Sequence, residues 1–168
     1  MATMEVKTPA FLQWTPSGIR LGEGSAVGSG EQPRPTYGES IGLTDDSAQT
    51  VMATLREGLP VAAFESLRAA LDVSARALAE TTNIAVRTLA RRKQEGQLRK
   101  DESERVFRIG ALLDRATEVL EGRDAARVWL KSPKRALGGS TPLEYADTEP
   151  GAREVEDLLT RLEYGVFS

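Results

Sequence analysis

The side chains best placed to do chemistry in this sequence are the cations Arg87, Arg91, Arg92 and Lys93, with the Thr88 hydroxyl among them. Groups of this kind neutralise phosphates; an arginine can also take a guanine edge bidentately, and a threonine can reach a base edge or a phosphate. To act together they need a helix that holds them on one side and a second element that fixes that helix. The stretch from Ser74 to Lys93 supplies both. Ser74 is a natural N-cap, and Leu78 and Ala79 give the first helix a buried face, the small Ala79 letting another helix cross closely. Asn83 falls where the chain must turn, and asparagine tolerates the left-handed conformation. Ile84 and Leu89 then point back at the first helix, leaving Arg87, Thr88, Arg91, Arg92 and Lys93 outward. This is the pattern of a helix-turn-helix whose second helix enters the DNA major groove. A helical hairpin with a solvated basic face would share it.

Other chemistries find little support. The 168 residues contain no cysteine and no histidine, which removes disulfides, thiolate catalysis, Cys/His zinc sites and imidazole acid–base work together. Carboxylates fall mostly at expected helix caps and solvated faces, and the adjacent Glu156 and Asp157 point to different sides of a helix. No enzymatic activity, cofactor or metal site is expected. The Gly22–Gly30 stretch lacks the Gly-x-Gly-x-x-Gly spacing and strand–helix context of a phosphate loop. No apolar run approaches the roughly 20 residues that span a bilayer, so a cytoplasmic protein without membrane contact is expected.

The formal net charge is −3, but its distribution carries more information than its sum. Residues 1–75 carry −4, residues 76–108 carry +4 and residues 109–168 carry −3. Positive charge gathers only around the proposed DNA-reading helix. So few cationic contacts would bind weakly in a monomer, and a homodimer reading two half-sites is the physically sensible solution.

Residues 1–43 are rich in Gly, Pro, Ser and Thr and read as a flexible extension. From Thr44 the pattern is helical. Thr44 or Asp45 would cap a helix through Glu57, with Ala48, Val51, Met52 and Leu55 inward and Gly58 as a stop. Pro60 suits the first turn of the next helix, where Val61, Phe64, Leu67 and Leu71 recur at helical spacing. Asp101 would cap a longer helix with Glu104 as its capping-box acid, carrying a stripe from Val106 to Leu120. Asp124 would open a helix containing Ala125, Val128, Trp129 and Leu130, stopped by Ser132-Pro133. A final helix runs from about Thr148 to Glu163 with Val155, Leu158, Leu159 and Leu162 as its buried row. The chain then ends Tyr164-Gly-Val-Phe-Ser168, an aromatic tip where termini are commonly polar. The residues alone leave two readings open: the tip folds back on its own domain, or it contacts a partner.

Several separated motifs occur together in a familiar order: Arg87-Thr-Leu-Ala-Arg-Arg-Lys-Gln-Glu-Gly-Gln-Leu98, Asp101-Glu-Ser-Glu-Arg-Val106, Ala126-Arg-Val-Trp-Leu-Lys-Ser-Pro133, Ala136-Leu-Gly-Gly139, Thr141-Pro-Leu143, Thr148-Glu-Pro-Gly-Ala-Arg153 and Arg161-Leu-Glu-Tyr-Gly-Val-Phe167. Over about Thr44 to Ser168 the chain resembles Xre/MbcA/ParS-type antitoxins. It departs from a generic module of this type at Asn83, where glycine is usual, and at Arg92, a place often aliphatic.

The resemblance implies an all-α protein: a flexible extension over 1–43, an Xre-like helix-turn-helix domain over 44–104 and a small helical toxin-binding domain over 105–168. It implies an antitoxin of a type II toxin–antitoxin system whose C-terminal region covers the NAD site of a RES-type toxin. That toxin is NAD-consuming or ADP-ribosylating, and the antitoxin represses its own operon by binding operator DNA. The matching toxin-binding positions are Leu162, Tyr164, Gly165, Val166, Phe167 and Ser168, so the tip is read as an inhibitory contact. NAD would belong to the partner. A stand-alone helix-turn-helix regulator is the alternative, and a helical adaptor with a merely solubilising basic face is a third reading.

Overall fold

The computed structural model describes residues 13–15, 18–20, 38–43 and 47–165. The chain divides into two compact units, residues 1–32 and 33–168. In the first, β1 (Gln13–Thr15) and β2 (Gly18–Arg20) pair antiparallel, with Trp14 opposite Ile19. The second unit holds the eight α-helices found among the described residues.

Structure in that unit starts earlier than the expected Thr44. Residues Glu39–Ile41 form a 3-10 turn with Ser40 and Ile41 buried. The turn sits on a helix 70 residues further along the chain: Ser40 Oγ donates to the Gly110 carbonyl (3.0 Å), and the Asp114 carboxylate accepts from the backbone N–H groups of Gly38 (2.9 Å) and Ser40 (3.1 Å). Glycine at 110 is what permits this approach, since a Cβ there would lie 2.7 Å from Ile41 Cγ2. Burial pushes the Asp114 carboxyl above its ordinary value, against the pull of those hydrogen bonds.

Helix α1 (Ala48–Glu57) is capped by Ser47, whose hydroxyl accepts from the Thr50 amide at 3.3 Å. The caps expected at Thr44 or Asp45 lie outside the described residues. Val51 and Leu55 face the core as expected, whereas Ala48 and Met52 are exposed, because the core covers a narrower stripe of this helix. Helix α2 (Val61–Leu71) follows Pro60 and contributes the fully buried Phe64, Leu67 and Leu71. Then come α3 (Ala75–Thr81), α4 (Val86–Glu95) and the 20-residue α5 (Lys100–Val119). Two residues earlier than expected, α5 opens after Arg99, and its capping acid is Glu102, which accepts from the Arg99 amide at 2.8 Å.

The spine is α5, which packs against α1, α2, the 3-10 turn, α6 (Arg123–Leu130) and α8 (Glu149–Glu163). Its stripe of Val106, Ile109, Leu112, Leu113 and Ala116 is buried. One hydrophobic core consequently runs from Ile41 to Leu159, and the anticipated boundary at 104/105 falls inside a continuous helix. After α6, a 3-10 turn (Arg135–Leu137) leads to α7 (Pro142–Tyr145), capped by Thr141 with Glu144, and then to α8, capped by Thr148. The start of α8 lies close on α7: a Cβ at Gly151 would fall 1.8 Å from the Tyr145 carbonyl oxygen. No helix among the described residues is long and apolar enough to cross a membrane.

Candidate functional site

The α3–α4 pair is built by local rules. Ser74 Oγ accepts from the Ala77 amide (3.1 Å), Leu78 and Ala79 are buried, and Asn83 adopts φ 51° at the turn. Ile84 and Leu89 are buried against α3, and α4 ends at Gly96 with φ 81°. The end of α4 is then clipped to the start of α2. Val61 N–H donates to Gly96 O (3.0 Å), Leu98 N–H donates to Leu59 O (2.8 Å), and Leu59 N–H reaches Ser103 Oγ (2.8 Å). Gly58 makes the clip possible, because a Cβ there would sit 2.2 Å from the Leu98 carbonyl oxygen.

The five residues expected on the outward face of α4 do not behave alike. Arg87 and Arg91 are exposed and one helical turn apart, so they share a face; Arg91 lies 3.6 Å from Glu95, and Arg87 has no ion pair among the described residues. Thr88 is half-buried. Lys93 is exposed but bound to Glu65 at 2.8 Å, and the hydrogen bonds from Lys93 and then Arg68 hold the Glu65 carboxyl below its ordinary value.

Arg92 is a correction. It is 2% exposed and grips Glu102 through two bonds, Nε–Oε2 at 2.7 Å and Nη2–Oε1 at 3.0 Å, with Glu95 as a further partner. Three residues after Leu89, it continues the inward row of α4, which is why its side chain faces Glu102 of α5 and not the solvent. A buried guanidinium needs this paired geometry to offset lost hydration. Burial works against ionisation of Glu102, but the Arg92 guanidinium and the Arg99 amide outweigh it and leave the carboxyl below its ordinary value. The one hint in the sequence was a cation at a position often aliphatic; its partner Glu102 lies ten residues further on. Val86, 60% exposed in the first turn of α4, and Gln94, exposed one turn beyond Arg91 on the side of Arg87 and Arg91, were not among the candidates. Both fall out of register with the Ile84–Leu89 row.

At the other end of the unit, Val155 and Leu159 anchor α8 with no measurable exposure, and Leu162 is half-buried against the same core. Glu163 meets Arg115 of α5 at 2.5 Å, and Arg115 also holds Glu118 at 3.0 Å. This ion pair fixes the last turn immediately before the tip. Tyr164 ends the helix with 74% of its surface exposed, and Gly165 follows at φ 65°. Val166, Phe167 and Ser168 lie outside the described residues. No cluster of acidic side chains among the described residues is arranged to hold a metal ion.

Comparison with known proteins finds two matches along the chain. Residues 50–110 match the antitoxin Xre-like helix-turn-helix domain, and residues 115–165 match the antitoxin Xre/MbcA/ParS C-terminal toxin-binding domain. Antitoxin Xre of Photorhabdus laumondii is 33% identical over 139 residues, 82% of this chain and 93% of that protein. Antitoxin Xre of Yersinia enterocolitica is 32% identical over 130 residues, 76% of this chain and 88% of that protein. A protein of Sphingobium sp. named Prs ADP-ribosylating antitoxin is 26% identical over 127 residues, 70% of this chain and 80% of that protein. A helix-turn-helix with an exposed arginine pair, one core shared with a C-terminal helical region and these two consecutive matches agree: the chain belongs to the Xre/MbcA/ParS family of antitoxins.

Proposed function

We propose that this antitoxin neutralises a RES-domain toxin by inserting its C-terminal tip, Leu162 and Tyr164 to Ser168, over the toxin's NAD site. The observation that carries this reading is the exposure of Tyr164 at the end of a helix otherwise committed to the core. A large aromatic left in water next to an anchored helix end is what a partner cavity would bury with most profit. Arg115–Glu163 gives the tip a rigid base, so less conformational freedom is lost on docking. The ADP-ribosylating name of the Sphingobium relative is in keeping with a partner that handles NAD. The antitoxin itself acts by binding and performs no reaction.

Deleting Tyr164–Ser168 removes protection in cells that express the toxin, while far-UV circular dichroism of the purified chain stays the same. Full protection by the truncated chain would contradict the role of the tip.

In the same proposal a homodimer represses its own operon through α4. Arg87 and Arg91 contact phosphate or guanine, Thr88 and Val86 lie near base edges, and Lys93 contributes less because Glu65 occupies it. Ala85 leaves the first-turn amides of α4 without a side-chain acceptor, which suits a phosphate.

A further inference from the structure

Helix α6 carries two apolar rows, not one. Ala126 and Leu130, four residues apart, are buried in the core. On its other side Ala125 and Val128 face solvent, and with Leu120, Lys134 and the half-buried Trp129, which also rests on the core, they line a shallow concave surface. Val128 is 65% exposed and Ala125 is exposed. Lys134 lies 5.1 Å above the Trp129 ring, so the indole is held in one orientation. The helix is also tethered: Arg127 Nε donates to the Ala70 carbonyl at 2.5 Å and Lys131 Nζ to the Asp72 carbonyl at 3.3 Å, both at the C-terminal end of α2.

The surroundings are basic. Residues 120–137 hold five basic side chains against two acidic ones, while residues 138–168 hold two against seven. Arg123 and Arg127 are taken by Glu39 and Asp124, but Lys131, Lys134 and Arg135 form no ion pair with a described residue. A rigid aromatic beside an exposed aliphatic with a cationic edge has the composition of an interface centre.

We infer that the Val128–Trp129 face of α6 is a second docking surface for the toxin, distinct from the tip, and that it receives an apolar patch edged by carboxylates. It lies within the stretch that matches a toxin-binding domain. A second copy of the chain pairing through the same face about a two-fold axis would set Lys131, Lys134 and Arg135 against their own counterparts, which disfavours that occupant. Two contacts on one rigid unit also let the toxin be held while its site is covered.

The inference rests on the toxin-binding reading, and the test separates the two. The full-length chain and Val128→Asp are titrated against the purified cognate RES-domain toxin, with circular dichroism and sedimentation run in parallel. An Asp at this exposed position leaves fold and mass unchanged and weakens toxin binding by about tenfold or more. Arg135→Glu, which removes no packing, weakens it mainly through a slower association that is sensitive to salt. Unaltered affinity of Val128→Asp beside a tightly binding wild type would overturn the α6 surface and leave the tip intact. A change in sedimentation mass would reassign the face to self-association and overturn it equally. Failure of the wild-type chain itself to bind would remove the toxin reading and this inference together.

Discussion

Helices α4 and α8 each bury an apolar row, Leu89 against α3 and Val155 and Leu159 against α5, with polar residues outside, but they leave different things in the solvent. On α4, three of the four cations meet carboxylates: Arg91 with Glu95, Arg92 with Glu102 and Glu95, Lys93 with Glu65. Under the proposed DNA-binding reading, what remains for phosphate is chiefly Arg87 and the loosely held Arg91. On α8, the ion pairs work in the other direction. Arg115–Glu163 fastens the last turn and leaves Tyr164 in water. A charge run therefore overstates the charge available to a partner, because the fold consumes part of it. The aromatic at the end of α8 is not consumed in this way, since among the described residues Tyr164 stays mostly exposed.

The widest gap between the two helices should appear in DNA binding. Arg87→Ala with Arg91→Ala is expected to cost about 1–3 kcal/mol per contact and to reduce the salt slope by roughly 2. Lys93→Ala should change operator affinity little, because Glu65 already holds that ammonium. Gel-shift titrations over a salt series measure both, and an equal loss from Lys93→Ala would erase the distinction between paired and free cations.

The inward-facing cation is tested by stability. Glu102→Gln leaves Glu95 as the one carboxylate against the buried Arg92 guanidinium, and the melting temperature should fall by about 5 °C or more. Because the folded-state pKa of Glu102 is lowered, its contribution is fully present above the ordinary value of 4.5 and is lost as pH falls through the folded value. Wild type should therefore lose stability below about pH 4.5, and Glu102→Gln should lose less over the same range. Parallel acid profiles would contradict the pairing. Asp114 has the opposite sign. Its folded-state pKa is raised, so its contribution is greatest below the ordinary Asp value and declines as pH rises through the folded one.

A smaller effect belongs to the 3-10 turn. Gly110→Ala places a methyl 2.7 Å from Ile41 Cγ2, and the overpacking should cost about 1–3 kcal/mol in urea unfolding. Leaving stability untouched would mean that the turn does not hold residues 38–43 on α5.

Much of this was legible because it is local. Ser74 as a cap, Asn83 at a left-handed turn and Gly58 as a stop each depend on neighbours within four residues, and each is found where the sequence put it. What escaped was decided at long range. Ser40 and Ile41 offer no periodicity, and their seat on Gly110 and Asp114 lies at least 69 positions away. Arg92 looked solvated until Glu102, ten residues on, was brought beneath it. On α6 the apolar residues exceed what one face can bury, and periodicity cannot say which row the core takes. The tip of the chain was read from its resemblance to a family, since its own residues allowed either fate.

The most direct test of the central proposal is the inhibition pattern of the toxin's NAD-dependent reaction in the presence of this antitoxin. Occlusion by the tip predicts that the full-length chain raises the apparent KM for NAD without lowering kcat, and that removal of Tyr164–Ser168 abolishes this competition. Inhibition that lowers kcat at saturating NAD, or that survives the truncation unchanged, would contradict it.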